Sequence, residues 1–296
     1  MNSLSDIKKR MKVVSDTRKI TGAMDTISVS KMSKALEKSE QNSAYFDTLQ
    51  SVIGDIVVHT SSWVHPCFRK RATSRSIYIV IASDKGLAGG YNHGICDYAF
   101  RIVNEKPDSK IIAVGQTVKE YFEKMQFSAY DDFCTATFEP TIEDAAEIAD
   151  FIIEQFNKNI IDEAYVIYTS LKASEGTQLS QMRLLPLVGS DFGSEGDLTP
   201  QKESYLHEIY YEPSPDYVLN RLIPQYIAGI IYGCLLRAQA AEHSARRAAM
   251  SEATKNADEI LEKLKLEYNR ARQSIVTNEI TDIITASSGV KNENKQ

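Results

Sequence analysis

The chain has 296 residues, 43% of them hydrophobic and 25% charged, with a formal net charge of −6. That composition supports a buried core in one or two domains. It excludes a bilayer-spanning helix, because the apolar stretch Ile227–Leu236 stops at Arg237, well short of the roughly 18 to 20 residues a span requires.

No proline interrupts the chain from Leu4 to about His59. Apolar residues recur at Leu4, Ile7, Met11 and Val14, then at Ile20, Met24 and Ile27, close to the period of one helix face, which predicts a single long helix. Gly22 and Gly54 weaken it by about 1 kcal/mol each relative to alanine, a loss that a partner helix offsets. The helix is basic up to Lys38, with Lys8, Lys9, Arg10, Lys12, Arg18, Lys19, Lys31 and Lys34 set against Asp6, Asp16, Asp25 and Glu37. Interleaved aromatic residues are missing and the whole chain is acidic, so an acidic protein surface suits this rod better than nucleic acid does. Asp6 and Asp16 also argue against a cleaved presequence.

Trp63–Ser76 reads as the connector into a different kind of fold. Ile77–Ser83, Lys110–Val114 and Ala164–Tyr168 are short apolar runs typical of buried strands, with Met182–Leu187 as a further candidate. Tyr91–Asn104, Thr117–Met125 and Ile142–Asn157 carry helical spacing between them, an alternation that predicts a mostly parallel α/β sheet. Gly189–Pro200, rich in Gly, Ser and Asp, reads as a surface loop.

A second long helix is predicted from Ser214 or Pro215 to about Ser287. Ala257, Leu261, Leu264, Tyr268, Ala271 and Ile275 alternate steps of four and three, the spacing of a seam that faces another helix. The alanine-rich stretch before it, from Ala238 to Ala253, lets another backbone approach closely. About 70 residues of helix span about 105 Å, against about 80 Å for the N-terminal one. If both start from a common base, Val276, Ile280, Ile283 and Ile284 protrude alone, and an outside partner is needed to shelter them. The expected organisation is therefore an α/β domain over 63–212, Rossmann-like in its alternation, inserted between coiled-coil helices over 1–62 and 213–296.

The search for chemistry returns little. Ser83-Asp84-Lys85-Gly86-Leu87-Ala88-Gly89-Gly90-Tyr91-Asn92 lies between a strand and a helix, where glycine loops hold phosphates. It matches neither GxGxxG nor GxxxxGK[ST], so a tight turn is the default. His59, His65, His93, His207 and His243 are scattered, and Cys67, Cys96, Cys134 and Cys234 form no CxxC, so no metal, cofactor or disulfide framework is expected. No GxSxG elbow or paired carboxylates point to catalysis. From these features alone, a nucleotide-binding α/β enzyme with a helical arm and a coiled-coil scaffold both remain open.

Three stretches, in the right order over nearly the whole chain, resemble the gamma subunit family of F-type ATP synthases. They are Ile7–Met11 with Thr17–Met24 and Ser30–Met32, the loop Ser83–Asn92, and the run Ala253–Ala257, Tyr268–Gln273 and Ile275–Ile283. The resemblance implies a non-catalytic rotor shaft inside a ring of alpha and beta subunits, with an epsilon subunit and the membrane sector's c-ring as further partners. It also implies a peripheral place on the cytoplasmic face of a bacterial membrane. Lys19, Met24, Arg272, Gln273, Thr277 and Glu279 match positions that face the catalytic subunits in that family. Gly22, Ala88 and Thr285-Ala286 depart from its pattern, the last putting the geometry of the tip in doubt. The inserted cysteine-pair loop of the chloroplast type is missing, so thiol regulation is not expected.

Overall fold

The computed structural model describes the chain apart from residues 1–3, 60–64, 72–74, 107, 128, 131–132, 134–138, 173–175, 193–210 and 294–296. The side chains of 58, 59, 172, 190 and 282–293 also lie outside the described set. Expectations for Trp63, Cys134, His207 and the loop over 193–200 therefore fall outside the described residues, as do those for the side chains of His59, Ile283, Ile284, Thr285 and Ala286.

The first long helix, α1, runs Leu4–His59, and the last, α5, runs Pro215–Glu293, six residues further than its sequence signals indicated. Between them come β1 (Ser76–Ile81), α2 (Tyr91–Asn104), β2 (Lys110–Val114), α3 (Gln116–Lys124), β3 (Ala129–Tyr130), α4 (Ile142–Asn157), β4 (Glu163–Lys172) and β5 (Gly176–Leu185). Two 3-10 turns, Pro66–Phe68 and Gly189–Phe192, flank this set. The second puts helical backbone, with Gly189 buried, where a surface loop was expected. Contacts divide the chain into two compact units, Ser28–Arg246 and the pair Met1–Ile27 with Arg247–Gln296.

In the Ser28–Arg246 unit the described strands form one sheet in the order β3-β2-β1-β4-β5, parallel except for β5, which turns back along β4. The central strand β1 is buried throughout, which is why it reads as a continuous apolar run. Its alternate side chains serve two cores. Tyr78 and Val80 meet Ile95 and Ala99 of α2 and Val118 and Phe122 of α3. Ile77, Ile79 and Ile81 share the opposite core with Ile148 and Ile152 of α4, Ile53 and Ile56 of α1, and Ile223, Ile227 and Ile231 of α5. The long helices thus help form the layer on that face of the sheet. Phe46 of α1 stacks on Tyr226 of α5 at 4.9 Å, and Asn42 Nδ2 donates to the Gly229 carbonyl at 3.1 Å. Thr141 caps α4 in a reciprocal box with Asp144.

In the other unit the two chain ends lie antiparallel. Thr21 Oγ1 and Thr254 Oγ1 are 2.7 Å apart, Arg18 pairs with Asp258, and Asp25 lies 3.8 Å from Arg247. Continued residue by residue, this register brings Leu4 level with about Ala271. Ala257 and Leu264 are buried, and Leu261, Tyr268 and Ala271 are half-buried, as a seam requires. Ile275 belongs to the same series, yet it is exposed because α1 begins too late to reach it.

The face expected on α1 needs correction. Ile20 is 61% and Ile27 55% exposed, while Thr21 and Ser28 are buried. Six residues on from Val14 lies about 120° round the helix, so Ile20 cannot continue the face that Ile7 and Val14 begin. The true face steps by seven through Ile7, Val14, Thr21, Ser28, Ala35, Asn42, Leu49 and Ile56, all of them buried or half-buried. Hydrogen bonding to Thr254 and to the Arg18 carbonyl satisfies Thr21, which makes a buried hydroxyl tolerable in the seam. Ile7→Ala should therefore destabilise the purified chain by about 2 kcal/mol or more, and Ile20→Ala by no more than about 0.5 kcal/mol, in urea unfolding. Equal losses would return Ile20 to the seam.

Candidate partner-contact surface

The six residues matched through the family resemblance all lie in the unit formed by the chain ends. Lys19 is exposed and reaches Asp16 at 3.2 Å, a pairing between solvated groups that adds little to stability. Met24 is half-buried beside Ile20 and Ile27. With Val13, 65% exposed, these side chains form an apolar stripe down the flank of α1, to one side of the seam. Ile20, Met24 and Ile27 were all expected on the apolar face of the helix; with Ile20 and Ile27 turned outward and Met24 half-buried, they create the surface.

Arg272, Gln273, Thr277 and Glu279 are exposed on α5, where Thr277 Oγ1 donates to the Gln273 carbonyl at 2.8 Å. Exposed Ile275, Val276 and Ile280 interleave with them. In the observed register Lys19 is level with about residue 256, so roughly 16 residues of helix, or about 24 Å, separate it from Arg272. The structure therefore gathers Lys19 with Met24, and the four α5 residues with one another, as two patches. Both combine apolar centres with polar or charged margins, a composition suited to protein partners.

The loop Ser83–Asn92, in the Ser28–Arg246 unit, is closed by its own hydrogen bonds. Asn92 Oδ1 accepts from the Ser83 amide at 3.0 Å, and the one hydroxyl proton of Ser83 is shared between the Lys85 carbonyl at 2.7 Å, the nearer acceptor, and Asn92 Oδ1 at 3.0 Å. Asp84 Oδ1 accepts from the amide of Gln116 at the start of α3. Beside it Gly115 sits at φ +106, where an added Cβ would lie 2.3 Å from the Ala82 carbonyl oxygen, so this turn accepts no side chain. Leu87 is a non-glycine residue at φ +64, exposed at the tip of the loop.

Arg246 of α5 is buried against this loop. Its Nη2 donates to the carbonyls of Lys85 and Gly86 at 3.3 Å, and its Nη1 pairs with Glu242 at 2.6 Å. Nη1 also lies 3.2 Å from His243 Nδ1. A guanidinium only donates, so Nδ1 accepts and the imidazole is neutral. Burial, then the charges of Arg246 and Lys31, lower the His243 pKa to about 4, while burial raises that of Glu242. The spacing of four between Glu242 and Arg246 is readable in the sequence, but the approach of Arg246 to the carbonyls of Lys85 and Gly86 arises only through the fold. Among the described residues no group of three or more His, Cys, Asp or Glu could hold a metal.

Residues 3–290 match the family model described as ATP synthase. The chain is 36% identical over 294 residues to the ATP synthase gamma chain of Ruminiclostridium cellulolyticum, covering 98% of this chain and 99% of that one. It is 35% identical to the gamma chain of Acetivibrio thermocellus, covering 98% and 100%. Among solved structures, a chain of the Euglena gracilis mitochondrial ATP synthase OSCP/F1/c-ring assembly superposes with a TM-score of 0.67 at 14% identity, covering 99% and 96%. A chain of the Tetrahymena thermophila central stalk and c-ring gives 0.57 at 23%, covering 79% and 99%. At those identities the two structures show a shared fold.

The pH dependence of the His243 cluster has a definite sign. The unfolded imidazole titrates near 6.5 and the folded one near about 4, so between these values the unfolded chain binds more protons. This contribution to stability is complete above pH 6.5 and is lost as the pH falls towards 4. His243→Gln should flatten the decline over that window and leave the slope above pH 7 unchanged, measured by denaturant unfolding at stepped pH.

Proposed function

The chain belongs to the ATP synthase gamma chain family, and we propose that its paired ends are the part of the central stalk that turns inside the catalytic ring of an F-type synthase. As the gamma subunit of the central stalk, it works with the alpha and beta subunits of that ring, an epsilon subunit and the c-ring of the membrane sector. ATP chemistry belongs to the partner subunits in this reading, and the chain itself transmits force. No described helix is long and apolar enough to cross a membrane. Its place on the cytoplasmic face of a bacterial membrane would then come through its partners, with no part for nucleic acid. Residues 1–62 and 213–296 are taken as shaft and 63–212 as the inserted α/β domain.

The observation that carries this reading is the unpaired end of α5, where Ile275, Val276 and Ile280 stay exposed beyond the reach of α1. An isolated helix with exposed apolar residues gains stability when another surface covers them, and a ring around the shaft provides one. A shaft that differs from side to side offers each surrounding subunit a different contact at each angle. Turning then biases each subunit among its conformations, because a partner shifts such an equilibrium only through differential affinity. Lys19 and Arg272 would meet acidic loops, and Met24, Gln273, Thr277 and Glu279 complete the contact set. Long-range attraction of this kind favours association rate and orientation more than final affinity.

Affinity capture of the tagged chain from its native membranes should recover a large ATPase containing one copy of it per complex; capture without ATPase subunits would end the proposal. In the assembled synthase, Lys19→Glu with Arg272→Glu should lower the ion transport obtained per ATP hydrolysed. Unchanged coupling would remove these two residues from the contact set.

A further inference from the structure

The loop Ser83–Asn92 has no part in the contacts proposed above, yet hydrogen bonds tie it to α2, α3 and α5. Its seat on α5 is periodic. Ala238, Ala241, Glu242, Ala245 and Arg246 recur at intervals of three, one, three and one, which places them on one helix face. Ala88 and Tyr91 from the loop pack with Ala241, with Leu171 and Ala245 against them. Tyr91 also donates its buried hydroxyl to the Ala238 carbonyl at 3.0 Å. The alanines allow close approach, and Arg246 adds its two bonds to the loop carbonyls.

Alanine contacts of this kind are non-directional and resist sliding round a helix only weakly. Hydrogen bonds to fixed carbonyls have a required direction, and the three from Arg246 and Tyr91 tie the loop and the helix to one angular setting. A buried Arg–Glu pair is a poor means of adding stability, since apolar residues of equal volume often do as well or better. What it adds here is direction: Glu242 aims Arg246, and Arg246 reaches across to the domain.

We propose that Arg246, aimed by Glu242 and seconded by Tyr91, is a positioning residue that keys the α/β domain to α5, so that torque passes between them without slip. This rests on the rotor reading. A shaft turned from one end must carry the load where the domain meets the helix, and the loop is fixed to the strand β1 and the helices α2 and α3 on its other side.

The test uses the assembled synthase in sealed vesicles, with ion transport per ATP hydrolysed as the readout. Glu242→Gln with Arg246→Met removes both charges together, so neither is left without its counter-charge, and it takes the donor from the Lys85 and Gly86 carbonyls and from His243 Nδ1. Hydrolysis should persist and the transport ratio should fall severalfold; an unchanged ratio would overturn the proposal, whatever happened to thermal stability. Ala88→Cys with Ala241→Cys supplies a second arm in an otherwise native chain. Once oxidised and verified by mass spectrometry, that bond should leave the native ratio unchanged and restore it in the charge-free variant. Loss of transport on cross-linking the native chain would mean that loop and helix move during turnover, and would equally overturn the key. Should the charge-free variant fail to assemble, the cross-linked native chain still decides. If the unaltered chain is not recovered in a synthase at all, the rotor reading has failed, a result separate from either outcome above.

Discussion

Two helices from opposite ends of one chain share a seam only if their inward positions repeat every seven residues and stay in register. Along α1 that repeat runs from Ile7 to Ile56, and it does not depend on every member being apolar. Thr21, Ser28 and Asn42 occupy positions that Ile7, Leu49 and Ile56 fill elsewhere. Each polar member needs a partner at a matching height on the other helix. Thr21 finds Thr254, and Asn42 finds the Gly229 carbonyl. An apolar seam tolerates a slip of one heptad with modest loss. A seam containing these pairs would leave buried polar groups unsatisfied after the same slip, which costs far more than the bonds themselves add.

This constraint explains where the exposed apolar residues lie. Once the heptad positions take the seam, Val13, Ile20 and Ile27 must fall on the flank, because they form a second series one residue out of step with it. Their exposure is a consequence of register, and it leaves a surface that water alone covers poorly. On α5 the same register ends with the start of α1, so Ile275 stays uncovered even though its spacing is that of a seam residue. Both patches that combine apolar and charged side chains therefore follow from one alignment.

Much of the fold was legible because burial and periodicity coincide. The continuous apolar runs at β1 and β2 are buried on both faces, and α2 and α4 occupy the ranges their spacing indicated. Legibility fails where burial is partial or partners are distant. The first half of β5 carries exposed side chains on both faces, so Gly176–Met182 shows no alternation to mark it as a strand. The two residues of β3 are too few to show any period. On α1, hydrophobicity pointed to Ile20 and Ile27, whereas a count of seven from Ile7 leads to Thr21 and Ser28. The periodicity was present, but polarity hid it, because hydrogen-bonded hydroxyls fill seam positions normally held by aliphatic groups.

The glycine loop shows how far local pattern can mislead about chemistry. Its position between a strand and a helix suits phosphate binding, where free backbone amides point at an anion. Here the Ser83 amide is engaged by Asn92, and the nearest buried cation, Arg246, is directed at carbonyl oxygens of the loop. A guanidinium committed to Glu242 and to those carbonyls has its charge and geometry already matched. Bringing an anion there would require breaking that set and would place negative charge beside Glu242. The same glycines that make a phosphate cradle in other folds serve in this one to lay a loop flat against a helix of alanines. The alanines matter as much as the glycines, because large side chains at Ala238, Ala241 or Ala245 would lift the loop from Arg246. Composition on α5 and conformation in the loop are thus two halves of one contact, separated by some 150 residues of chain.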